Sequence, residues 1–157
     1  MNARTHDMEQ GTQNYFQLVI RLQAVRMHVH DQLQRTDSAF REPAETKDIV
    51  LAIQAVAIAA HEAGLYAFTS VCLYVCERID PSLRSGYMSQ PMLALVAEWT
   101  ANAELYLRRP RFAPFAKTMV QQLNDPRWGE PLNANDLDAL IRDLTQGSNI
   151  WRAIGPS

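Results

Sequence analysis

Apolar residues recur at helical spacing from Gln13 to Gln34, at Phe16, Val19, Ile20, Val25, Val29 and Leu33, with no proline or glycine between them. This predicts one long amphipathic helix. The polar residues 1–12 before it read as a loose tail. Residues 35–46, a polar cluster containing Pro43, read as a loop. Thr46 is placed to cap a second helix, and Asp48 suits a first turn, where the helix dipole favours negative charge. That second helix, Asp48–Ala63, is rich in alanine and apolar on nearly every side. Such a helix is central, or it shows an apolar face to a partner. Gly64 interrupts the pattern, and Leu65, Phe68, Val71, Cys72, Val75 and Ile79 resume it. Asp80-Pro81 is the expected stop, because a residue before proline avoids the helical region.

A loop through Gly86 leads to Ser89 and Pro91, a helix start with proline in the first turn. Leu93, Val96, Ala97, Ala103, Leu105 and Leu107 carry that helix to Arg109-Pro110. Pro114 opens a short helix, Phe115–Leu123. Asp125-Pro126, Gly129 and Pro131 mark a loop, after which Asn133 or Asn135 caps a last helix containing Leu137, Leu140, Ile141 and Leu144. Gly147 ends it, and Ser148–Ser157 is a tail whose Ile150 and Trp151 are large enough to dock back. Five or six helices and no strand predict an all-α fold. The expected architecture is an up-and-down helical bundle with a four-helix core plus one or two extra helices, in a single domain over residues 1–157. The six alanines between 52 and 63 let neighbouring helices come close to the second one.

Composition adds mainly exclusions. At 157 residues, with 47% hydrophobic and 20% charged, the chain can bury a core without staples. The net charge of −2 supplies no basic excess for a nucleic-acid surface. No long uncharged apolar run predicts a membrane span, and the polar N-terminus, which lacks an apolar h-region, predicts a cytoplasmic protein. Walker, G-x-G-x-x-G, H-E-x-x-H, C-x-x-C and G-x-S-x-G patterns are absent. Cys72 and Cys76 share a helix face at i, i+4, yet no second ligand pair stands near them in sequence. Two reduced packing residues are therefore expected there rather than a metal site. His28 and His30, two apart on a helix, point to different faces and read as surface histidines. No cofactor and no metal are expected.

The run AGLYAFTSVCLYVCERI, residues 63–79, resembles the glycine and following helix of histidine phosphotransfer domains, which are four-helix bundles. In that family an exposed histidine attacks a phosphoryl group, and a lysine three residues on neutralises it. A glycine four residues on admits the partner, and a further glycine lies ten residues on. With Gly64 matched to that last glycine, Gln54 stands at the histidine position, Ala57 at the lysine and Ile58 at the first glycine. An amide nitrogen is no nucleophile, so the resemblance implies a pseudo-phosphotransfer domain. Tyr106-Leu107, Arg109 and Gln122-Leu123-Asn124-Asp125 are similar to the "YL-x-R" and "LLND" helix ends of atypical phosphotransfer-like domains. Those domains belong to type IV pilus (twitching-motility) chemosensory kinases and their stand-alone relatives. Together the likeness covers roughly residues 15–145.

His61, seven residues after Gln54 and on nearly the same helix side, is an alternative phosphoacceptor, but no lysine follows it. The family's receiver-docking side would carry Leu51, Gln54, Ala57, Ile58, His61 and Leu65. Their apolar character fits either a partner surface or burial under another helix. The leading expectation is a non-enzymatic signalling adaptor whose partner is a receiver domain, a chemosensory kinase or a pilus-system component. One alternative is active phosphotransfer on His61. Another is an unrelated helical interaction or regulatory protein. The sequence leaves the oligomeric state open.

Overall fold

The computed structural model describes residues 3–34, 43–85 and 88–146. Helices α1 (Ala3–Gln34), α2 (Pro43–Glu62), α3 (Tyr66–Ser85), α4 (Gln90–Arg108), α5 (Ala113–Leu123) and α6 (Ala134–Gln146) make up almost all of it. A short 3-10 turn, Pro126–Trp128, precedes α6, and no strand occurs among the described residues.

Local chemistry sets several of the boundaries. The Ser89 hydroxyl accepts the Met92 N–H at 3.2 Å and Pro91 sits in the first turn of α4, so two of the orphan positions of a helix start are dealt with. Asn133, rather than Asn135, caps α6: its Oδ1 accepts the Asp136 N–H at 2.8 Å while its Nδ2 donates to the Asp136 carboxylate at 2.8 Å. Asn135 lies inside that helix. Gly64 ends α2 in a left-handed conformation, φ +80°. The Leu65 N–H bonds back to the Ala60 carbonyl at 2.9 Å and the Gly64 N–H to that of His61 at 3.0 Å, a Schellman closure.

Other boundaries depart from expectation. Residues 3–12 are not a loose tail but the first three turns of α1. Asn14 helps to hold that end, donating Nδ2 to the Glu62 carbonyl at 3.1 Å, one of the carbonyls the end of α2 leaves free. Pro43 opens α2, so Thr46 lies within its first turns and is not the cap; proline's fixed φ suits a first helical position. α3 runs through Asp80-Pro81 to Ser85. The preceding turns are fastened by buried Phe68, Val71, Cys72, Val75 and Ile79, and the proline forfeits a single backbone bond. α5 starts two residues ahead of Phe115. Gly147 and the tail 148–157 lie outside the described residues. Phe16 and Ile20 do not face the core: α1 buries Leu18, Leu22, Val25, Val29 and Gln32, about half a helical turn away.

Around the bundle, α1 packs on α2 and α4, α2 on α3, α3 on α6, α6 on α5 and α5 on α4. Direction alternates. Arg26 of α1 pairs with Glu104 of α4 at 3.1 Å, whereas Tyr15 and Leu107 share a groove one end further along. Gln122, late in α5, donates to the Leu95 carbonyl, early in α4, at 3.2 Å. Arg78, late in α3, donates to the Glu130 carbonyl just ahead of α6 at 2.8 Å. Among the described residues the result is an all-α, up-and-down bundle of four long and two short helices. Trp99, Tyr106 and Phe68 are the largest fully buried side chains, and Phe68 of α3 stacks on Tyr106 of α4 with ring centroids 5.7 Å apart.

Candidate functional site

Helix α2 is the element on which most of the sequence-derived site falls. Its inward side is a run of small and branched residues, Ile49, Ile53, Val56, Ala57, Ala59 and Ala60, all buried. α1 and α3 flank it, and the Thr69 hydroxyl of α3 donates to the Ala57 carbonyl at 3.2 Å. The opposite side is open. Leu51 is 50% and Ile58 62% exposed, and Gln54 between them is exposed too. His61 continues the row in the last turn, exposed, its ring in an edge contact with Tyr66 at 5.0 Å.

Leu51, Gln54, Ile58 and His61 therefore form one outward stripe at three- and four-residue spacing. Lys47 and Glu62, both exposed, stand at its two ends. Two expected members do not join it. Ala57 is 3% exposed and faces the core, one helical position round from Ile58. Leu65 is half-buried beyond the Gly64 turn, packed against the core rather than standing out from it. At Gly64 an added Cβ would meet no atom within 4 Å, so this glycine serves the turn and not a close approach.

Cys72 is fully buried and Cys76 partly so, both as free thiols. Burial pushes the Cys72 thiol well above its ordinary value. It raises Cys76 to about 11, with the Glu77 carboxylate adding to the shift. Neither thiol is a ready nucleophile. Among the described residues no three His, Cys, Asp or Glu side chains gather as metal ligands would. His28 and His30 are both exposed on α1. Among the described residues no helix is long and apolar enough to cross a membrane.

Sequence reasoning missed a second outward apolar row, Phe16, Ile20 and Met27 on α1, with Phe16 62% and Met27 67% exposed. A signal for it was present: two apolar rows alternate along α1, and the one holding Leu18, Leu22, Val25 and Val29 is the more continuous. No family model matches the chain, and no curated protein or solved structure matches it.

Proposed function

We propose that this chain is a non-enzymatic helical adaptor that binds a protein partner through the outward stripe of α2. The observation that carries this reading is the pair of large aliphatic side chains, Leu51 and Ile58, standing in water on either side of Gln54. Apolar residues held on a rigid helix face are the usual anchors of a helix-mediated contact. The resemblance to histidine phosphotransfer domains puts the acceptor position at Gln54, on that same face. It favours a receiver domain as the partner, within chemosensory or pilus regulation. Gln54 supplies no nucleophilic nitrogen and Ala57 no cation, so the contact proceeds without phosphate transfer.

Ile58→Asp tests this directly. The residue is exposed, so folding should be unaffected to within about 0.5 kcal/mol. Affinity for a receiver domain should fall roughly a hundredfold, because an unpaired carboxylate would be desolvated in the interface. Gln54→Ala should cost far less, since water can replace a rim amide. Receiver binding that survives Ile58→Asp unchanged would refute the stripe as the docking face.

One observation favours a second reading: His61 is exposed and lies on the same stripe. Labelled phosphate offered from a panel of chemosensory kinases separates the two. No label is expected on the wild type. Stable, acid-labile label that disappears in His61→Ala would establish phosphotransfer on His61 instead.

A further inference from the structure

The outward row on α1 extends beyond its three apolar members. Phe16, Ile20, Gln23, Met27 and His30 follow one another at alternating spacings of four and three, and Gln13 and Gln34 continue the same alternation at either end. All seven are exposed. This is a heptad seam about 33 Å long, separate from the inward seam of Leu18, Leu22, Val25 and Val29 that the bundle uses. A helix side turned to water is normally charged. Here the outward side carries no charged residue between Glu9 and Asp31, since Arg21 and Arg26 stand on its flanks by helical period.

We propose that the seam is covered by the same seam of a second copy, in a parallel, in-register pair of α1 helices. The layers favour this. In register, Phe16, Ile20 and Met27 each meet their own equivalent, giving three apolar layers, and Gln13, Gln23 and Gln34 give amide layers able to hydrogen-bond across the axis. An antiparallel pair centred on the apolar members, with Phe16 facing Met27, would set Ile20 against Gln23 twice over. The surface shape agrees: a hollow on α1 is lined by Gln23, Arg26, Met27, His30 and Asp31. In a parallel pair, residues 23, 26, 27 and 30 of one helix bound the hole that receives the Met27 knob of the other. Charge agrees as well. Arg26 and the Asp31 of the second copy fall five positions apart along the facing helices, where parallel pairs form their flanking ion pairs. Arg26 already meets Glu104 through Nη1, but its side chain is 64% exposed and a guanidinium has further donors.

Sedimentation equilibrium and light scattering on the full chain test the proposal. A dimer is expected at micromolar concentration. Met27→Glu, which places two carboxylates face to face, should raise the dissociation constant roughly a hundredfold or more, with helical content unchanged by circular dichroism. Leu73→Glu, at an exposed leucine on α3, should leave it alone. Gln34→Cys should form a disulfide-linked dimer on mild oxidation, which the parent chain should not. In an antiparallel pair those two cysteines would lie about 38 Å apart, at 1.5 Å per residue. A chain that stays monomeric up to roughly a hundred micromolar, well above the range of a specific contact, overturns the proposal. So does a dimer indifferent to Met27→Glu. A dimer that Met27→Glu dissolves, but in which Gln34→Cys stays reduced, overturns the parallel register.

Discussion

The Tyr106 hydroxyl donates to the Leu144 carbonyl at 2.8 Å and so ties α4 to the last turn of α6. That carbonyl is among those a helix end leaves without an internal donor. Tyr106→Phe keeps the ring on its Phe68 stack and removes the buried hydrogen bond to Leu144, leaving that carbonyl unsatisfied. The expected cost is about 1–2 kcal/mol at neutral pH, or about 3–6 °C in Tm for a chain of this size. The same burial pushes the Tyr106 phenol from 10.0 up to about 12. Between those values the folded chain keeps a proton that the unfolded chain gives up. The resulting stability is whole below pH 10 and falls as pH rises through 12, by about 1.4 kcal/mol at pH 11. Phenylalanine does not titrate, so the penalty of the substitution should shrink almost to nothing near pH 11. The raised thiols of Cys72 and Cys76 also weaken the fold in alkali, but equally in both proteins, and they cancel in the difference. Urea titrations of wild type and variant at pH 7.5 and pH 11 read both quantities. A neutral-pH cost below about 0.3 kcal/mol, or a cost that does not change with pH, would refute the reasoning.

Two further outcomes follow from the geometry. Gly64→Ala should cost about 1 kcal/mol in urea denaturation, from backbone strain at φ +80° alone, because the new methyl meets nothing within 4 Å; an unchanged midpoint would mean the Schellman closure does not hold the α2–α3 turn. Cys72 and Cys76 should resist iodoacetamide at pH 7.5 in the folded chain and react once urea exposes them, since burial keeps both thiols protonated; stoichiometric zinc by elemental analysis, lost in Cys72→Ser, would contradict the packing role.

What the sequence determined by itself is what a few neighbouring residues can decide. Ser89 with Pro91 and Gly64 each set a helix end through their own side chain or lack of one, and both were legible because capping is satisfied within four residues; the α6 cap was legible only as Asn133 or Asn135, and the bond that Asn133 accepts from the Asp136 N–H decides between them. The helical class was legible for the same reason, since the apolar period is a local property. Tertiary structure decided the rest. α2 is apolar all round, so its period could not say that Ala57 turns inward while Ile58 stands in water; the flanking α1 and α3 settle that by covering one side. On α1 two apolar rows competed for the core, and only the position of α2 and α4 sent Leu18 and Leu22 inward and left Phe16 and Ile20 outside. At Asp80-Pro81 the local rule predicted a stop, yet core burial of the preceding turns outweighed one lost hydrogen bond. At that proline a local preference worth about 3 kcal/mol was overruled by burial of several side chains worth about 1.5–3 kcal/mol apiece.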